Sequence, residues 1–151
     1  MLRRLKGLGA SLNELKDVYT KQVRSVLELA VPVWQPALTI QEVKQIERVQ
    51  KCAMAIILGN KYINYEKATE ELCLESLSER RIKLCKNFAE KAAKSLKFQN
   101  WFNEVKNRGN ITSTRSYKNK SIPKFKAIPT RTNRYKKSPL PYLTDILNDL
   151  N

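Results

Sequence analysis

The sequence predicts an all-α fold: a small helical bundle, an additional long amphipathic helix and an extended basic tail at the C-terminal end. Apolar residues recur at helical spacing over most of the first two thirds of the chain. Three pairs of Ser or Thr with Glu three residues later mark helix starts. Only 4 of the 151 residues are glycine, which disfavours a turn-rich sandwich or barrel.

The first long helix is predicted to begin after Ser11, because Ser11 and Glu14 can form a capping box. Its expected buried face consists of residues at helical spacing, namely Leu12, Leu15, Tyr19, Val23, Val26, Leu27 and Ala30. Pro32 interrupts this pattern. Trp34 follows among valines, so we expect it to be a buried core residue and not a surface on which bases stack.

The second helix is predicted over residues 40–58. Thr39 and Glu42 form the next capping box, and Gly59 supplies a left-handed residue that can end the helix. Its apolar stripe comprises Ile40, Val43, Ile46, Val49, Ala53, Ile56 and Ile57. Asn64 is expected to cap a short helix after that.

The third capping box, Ser76 with Glu79, predicts the start of the long amphipathic helix. Leu74 and Leu77 are expected to fill the core where this helix begins. Its apolar residues are Ile82, Cys85, Phe88, Ala89, Ala92 and Leu96. The same pattern extends toward Val105, so the helix is expected to continue in that direction.

Positive charge is the outlying feature of the composition. The chain has 29 Lys and Arg against 14 Asp and Glu, a formal net charge of +15. Of this surplus, +8 falls in residues 108–151, where prolines also break the helical spacing, so this part is predicted to be an extended tail. A short terminal helix that docks weakly is expected from Leu143, Ile146, Leu147 and Leu150.

The predicted organisation therefore has three parts. Residues 1–58 form the helical bundle, residues 59–107 form a connecting helical region, and residues 108–151 form the basic tail. Each division falls where the composition or the helical pattern changes.

Several classes of function are disfavoured by the residues that the chain lacks. There is no histidine, and the three cysteines are far apart, so neither a zinc finger nor a Cys–His or Ser–His–Asp catalytic centre is predicted. No metal and no cofactor are expected. The absence of a long apolar run predicts no membrane span, and a sparse, odd set of cysteines favours reduced thiols inside the cell, in the nucleus or cytoplasm.

A polyanionic partner is the simplest explanation of the charge, since Lys and Arg contact phosphates and interleaved aromatic rings stack on bases. The predicted nucleic-acid contacts are Arg80, Arg81, Lys83, Lys86, Lys118, Lys120, Lys124, Lys126, Arg131, Arg134, Lys136 and Lys137. The predicted stacking residues are Tyr117, Phe125 and Tyr135. The alternatives are a solvated helix face for the first four cations and a solvated linker for the tail.

Three stretches carry a resemblance to a known family. They are RSVLELAVPVWQP at residues 24–36, QIERVQKCAMAIILG at residues 45–59 and ELCLESLSERR at residues 71–81. In this order and spacing they resemble the region just after the polymerase core in LINE-type, jockey-like and chicken-repeat-like non-LTR retrotransposon reverse transcriptases. The chain departs from the family pattern at Leu29, where the family favours Tyr, and at Cys73, where it favours Gly.

The resemblance implies a thumb-like bundle and connecting region that help to hold a template–primer duplex. It does not imply catalysis, because a polymerase palm needs paired aspartates that hold two metal ions. The aspartates here, Asp17, Asp145 and Asp149, are scattered. We therefore expect a non-catalytic fragment of an RNA-directed DNA polymerase that binds RNA or DNA, including a hybrid duplex, with a polymerase core or another protein as a further partner. A protein-interaction module and a retrotransposon remnant without function remain alternatives.

Overall fold

A computed structural model describes residues 1–104 and 124–150. This part of the chain is mostly helical, which confirms the all-α prediction. The helices, in chain order, are α1 (Leu2–Gly7), α2 (Leu12–Val18), α3 (Ser25–Leu27), α4 (Val31–Trp34), α5 (Ile40–Leu58), α6 (Tyr65–Glu71), α7 (Leu77–Lys94), α8 (Asn133–Lys136) and α9 (Pro139–Asp149). The described residues contain one isolated antiparallel β-bridge, between Glu104 and Phe125. No helix in these ranges has the length and apolarity needed to cross a bilayer.

Two compact units make up the chain, and they differ from the predicted three-part division. The first unit comprises Met1–Val31 and Leu38–Ile82, and the second comprises Pro32–Ala37 and Lys83–Asn151. Residues 59–82 belong to the first unit because α6 packs against α5. The described part of the basic tail, residues 124–150, belongs to the second unit together with the C-terminal part of α7.

Local sequence signals correctly placed the starts of α2, α5 and α6 and the end of α5. Both halves of the capping boxes at Ser11 and Thr39 are formed. Helix α5 runs from Ile40 to Leu58 as predicted, and Gly59 ends it with a φ of +59°. The Asn64 side chain accepts a hydrogen bond from the Lys67 amide and caps α6. These signals act through bonds within one turn, so they do not depend on the rest of the fold.

The core of the first unit lies between α1, α2, α5 and α6. Its buried residues are Leu2, Leu15, Tyr19, Ala53, Met54, Ile57, Leu58, Ala68, Leu72 and Leu74. Leu77 is also fully buried, so the predicted role of Leu74 and Leu77 as core residues is confirmed.

The predicted apolar face of the first long helix is confirmed at Leu15, Tyr19 and Val23, which are buried or packed against the core, and is wrong at Leu12, Val26 and Ala30, which are exposed. A π-helical segment, Tyr19–Arg24, follows α2, and its wider turns rotate the residues after it away from the core. Val26 is 69% exposed, and Ala30 is exposed as well. Trp34 is half-buried and therefore does not fill the core as predicted.

The second unit packs helices around aromatic residues. Helix α7 ends at Lys94, earlier than predicted, and a 3₁₀ helix, Leu96–Trp101, follows it. Phe102 and Phe125 pack edge to face with their ring centroids 6.0 Å apart. Leu143 and Leu147 of α9 are 1% and 4% exposed, so the prediction of a weakly docked terminal helix is wrong.

The turn after α6 holds a cysteine in the left-handed region, with φ of +49° at Cys73. The Cys73 amide donates to the Glu70 carbonyl at 3.0 Å, and the Leu74 amide donates to the Thr69 carbonyl at 2.9 Å. These two bonds form a Schellman motif, in which the left-handed residue is usually glycine. Leu74 is buried in the same core cluster as Ala68 of α6, and an apolar contact at this position often accompanies the motif.

Replacing this cysteine by glycine is expected to stabilise the protein. The left-handed conformation costs an L-residue about 1–2 kcal/mol, and the entropy that glycine loses on folding offsets about 0.5–1 kcal/mol of that. Cys73→Gly should therefore raise the free energy of unfolding in urea by about 0.5–1 kcal/mol. Cys52→Gly, at an exposed position within α5, should lower it by about 1 kcal/mol. A loss of stability in Cys73→Gly would contradict the assigned turn.

Candidate nucleic-acid interface

Formal charge is distributed unequally between the two units. The sequence of the second unit has sixteen Lys and Arg against four Asp and Glu, which gives +12. The first unit has thirteen against ten, which gives +3. An anionic ligand is therefore attracted mainly to the second unit.

Four of the predicted contacts lie exposed on or beside α8, namely Arg131, Arg134, Lys136 and Lys137. Thr132 caps this short helix by accepting a hydrogen bond from the Tyr135 amide at 3.2 Å. Tyr135 is 44% exposed, so its ring is accessible from solvent. We call Arg131, Arg134, Tyr135, Lys136 and Lys137 the α8 basic cluster.

Phe125 is not a stacking residue, and that prediction is wrong. Its side chain is 4% exposed because its ring packs against Phe102. Its backbone is also fixed, since the Phe125 amide donates to Asn148 Oδ1 at 2.9 Å and Asn148 Nδ2 donates to the Phe125 carbonyl at 3.1 Å. Lys124 is half-buried with its Nζ 5.4 Å from the Phe125 ring centroid, whereas Lys126 is exposed.

Helix α7 offers two of its four predicted contacts to solvent. Lys83 and Lys86 are exposed. Arg80 is half-buried and pairs with Glu28, whose carboxylate also lies 3.5 Å from Arg24 Nε. The hydrogen bond with Glu28 raises the pKa of Arg80, so this guanidinium is already occupied by a carboxylate.

Arg81 is completely buried, so its assignment as a phosphate contact is wrong. The helical spacing of the sequence already indicates that Arg81 is buried. Arg81 lies four residues after Leu77 and four before Cys85, both of which are also fully buried, so the three share one face of α7. The predicted contacts Lys118 and Lys120 and the stacking residue Tyr117 lie outside the described residues.

Trp101 is a candidate stacking residue that is absent from the predicted set. Its side chain is 42% exposed, and its ring centroid lies 4.5 Å from that of Phe98. Trp101 also lines an apolar pocket of about 350 Å³ together with Phe88 and Leu143. A flat ring at the edge of an apolar pocket in a strongly basic unit is suited to stacking on a base.

Comparisons with protein-family models, with curated proteins and with solved structures found no match to this chain.

Proposed function

We propose that the chain is a non-catalytic nucleic-acid-binding protein, derived from the region after the polymerase core of a non-LTR retrotransposon reverse transcriptase. The observation that best supports nucleic-acid binding is the formal charge of +12 in the second unit, to which the exposed cations of the α8 basic cluster contribute. Phosphate contacts of this kind supply affinity without reading sequence. The ligand is an RNA or DNA strand or an RNA–DNA hybrid.

The residues of the α8 basic cluster have complementary roles in this proposal. Arg131 and Arg134 can each form two parallel hydrogen bonds with one phosphate, whereas Lys136 and Lys137 act as point charges. The exposed Tyr135 ring lies between them in sequence and can stack on an unpaired base. The cluster therefore combines charge with one stacking surface.

The proposed ancestry is supported by the backbone at Cys73. The family pattern has glycine at this position, and the left-handed φ of +49° is the conformation that favours glycine. Cys73 therefore occupies a turn in which glycine is the favoured residue. Leu72 and Leu74, which flank Cys73 in the same pattern, are both buried.

A salt titration of binding tests the proposed function. We expect the whole chain to bind a labelled RNA–DNA hybrid, with log affinity falling linearly as log salt rises. Changing Arg131, Arg134, Lys136 and Lys137 to Gln should weaken binding about tenfold or more at low salt. It should also reduce the salt slope by about one for each phosphate that the variant no longer neutralises.

The matched control removes the same charge elsewhere. Arg4, Lys44, Lys61 and Lys67 are exposed residues of the first unit, and changing them to Gln lowers the net charge by the same amount. Equal losses of affinity in both variants would contradict a localised interface, and affinity that is independent of salt would contradict phosphate binding. Substitution is preferred to truncation at Arg108, which would remove the buried Phe125, Leu143 and Leu147.

A further inference from the structure

A second candidate surface lies in the first unit, along the junction of α1 and α5. Two neighbouring depressions of about 510 and 430 Å³ share Arg3, Cys52 and Ile56 in their walls. The floor of the larger depression is apolar and includes Leu2, Val23, Val49, Ala53 and Ile56. Together the two depressions form what we call the α1–α5 groove.

The α5 side of the groove is one continuous helix face. Gln45, Arg48, Val49, Cys52 and Ile56 follow each other along this face within three turns of the helix. From Gln45 to Ile56 the face extends about 17 Å. An apolar groove of this length matches a short amphipathic helix, which would place residues at i, i+3 or i+4 and i+7 into it.

The charge at the edge of the groove is of one sign. Its described lining includes Arg3, Lys6 and Arg48 and contains no Asp or Glu. Lys6 already has partners within the protein, because its Nζ donates to the carbonyls of Ile56 and Ile57 at 2.6 and 3.1 Å. Arg3 is exposed and Arg48 lies at the groove edge, and neither forms an ion pair within the described part of the chain. Carboxylates would complement these two guanidinium groups.

We propose that the α1–α5 groove binds an acidic amphipathic α-helix of another protein. The apolar face of that helix covers Val49 and Ile56, and its carboxylates pair with Arg3 and Arg48. Burial of the apolar floor supplies affinity, while the two arginines favour an acidic partner over a basic one. The groove lies in the first unit, whereas the α8 basic cluster lies in the second.

Two other occupants fit the groove less well. Helix α9 of the same chain is amphipathic and contains two aspartates, but its apolar residues Leu143 and Leu147 are already buried in the second unit. A second copy of the first unit would bring Arg3 and Arg48 against a like-charged groove, and like charges across an interface are unfavourable.

The test uses a fluorescent synthetic peptide of about four helical turns, with Leu on one face and Glu along both flanks. We expect saturable binding to the whole chain by fluorescence anisotropy. Arg48→Glu should weaken this binding about tenfold or more, and a peptide with Lys in place of Glu should bind Arg48→Glu better than it binds the parent. Val49→Asp should also weaken binding about tenfold or more, because it places a charge in the apolar floor. Lys44→Glu, exposed on the same helix but outside the groove, is the matched control.

Cys52 provides an independent readout, because it is exposed and lines the groove. In a Cys73→Ser background, bound peptide should slow alkylation of the Cys52 thiol by iodoacetamide. Three results would overturn the proposal. They are absence of binding by the acidic peptide, equal binding of both peptides, and equal losses of affinity from Arg48→Glu and Lys44→Glu. Concentration-dependent dimerisation that Val49→Asp abolishes would assign the groove to a second copy and would also overturn it.

Discussion

Gln50→Leu is expected to lower the free energy of unfolding by about 1–3 kcal/mol, the cost of leaving a buried polar group without its hydrogen bond. Gln50 lies in the middle of α5 with none of its surface exposed. The Tyr19 hydroxyl donates to Gln50 Oε1 at 2.8 Å, and Gln50 Nε2 donates to the Tyr65 hydroxyl at 3.0 Å and to the Glu75 carbonyl at 2.8 Å. One amide thus links α5 to α6, to the π-helical segment and to the turn before α7.

The network continues through Glu47, which accepts hydrogen bonds from the Tyr65 hydroxyl and, at 3.1 Å, from the Leu77 amide. Its carboxylate therefore lies at the N-terminus of α7, where negative charge is favourable. Burial raises the pKa of Tyr19 and of Tyr65 above that of an exposed tyrosine, so both hydroxyls remain protonated donors. Loss of the Gln50 amide leaves the Tyr19 hydroxyl and the Glu75 carbonyl without these partners.

Urea unfolding followed by circular dichroism measures this effect. Gln45→Leu changes an exposed glutamine of the same helix and should alter stability by less than about 0.5 kcal/mol. Tyr19→Phe removes one hydroxyl from the network, so combining it with Gln50→Leu should cost less than the sum of the two single changes. Strict additivity would argue against a shared network, as would a neutral Gln50→Leu.

The burial of Gln50 is a feature of α5 that the sequence pattern did not predict. The prediction of α5 over about residues 40–58 is confirmed, because capping at Thr39 and reversal at Gly59 are local interactions. Which side of the helix is buried depends on partners distant in sequence, and those partners bury Gln50 while leaving Val49 40% exposed. A polarity pattern assigns the opposite, since it ranks valine above glutamine as a core residue.

The prolines of the C-terminal tail are a local signal that can indicate either the end or the start of a helix. Prolines in this part of the chain predict breaks in helical structure, yet α9 begins at Pro139 and includes Pro141. Proline is tolerated in the first turn of a helix, because amides there have no partner within the helix. The apolar spacing of Leu143, Ile146 and Leu147 did predict the helix correctly. Its burial could not be predicted, since the second unit is built from separate stretches of sequence.

The residues of the α8 basic cluster are all exposed, whereas two of the four predicted contacts on α7 are not. The cluster lies in and beside a short exposed helix, where charge alone indicates exposure. Arg80 and Arg81 instead lie where α7 begins in the first unit, and the fold uses one in an ion pair and buries the other. The residue type alone does not show whether a cation is exposed, paired or buried. The positions of neighbouring apolar residues on the same helix face give that information.

Gly59→Ala is expected to lower the free energy of unfolding by about 2–3 kcal/mol. Gly59 has φ of +59° and ψ of −120°, a combination that side chains disfavour strongly. A Cβ at this position would also overlap the Lys6 ammonium, which two hydrogen bonds hold against the last carbonyls of α5. Lys6 also ties α1 to the end of α5, so the substitution disturbs a tertiary contact as well as the helix end.

The other glycines separate these two causes. Gly9 has φ of +88° and free space around it, so Gly9→Ala should lower the free energy of unfolding by about 1–2 kcal/mol from backbone strain alone. Gly7 lies within α1 with ordinary φ and free space, and Gly7→Ala should raise it by about 0.5–1 kcal/mol. Combining Gly59→Ala with Lys6→Met removes the overlapping ammonium, so the pair should cost less than the sum of its parts. If the two changes are additive, strain in the backbone accounts for the whole effect and the Lys6 contact contributes nothing to it.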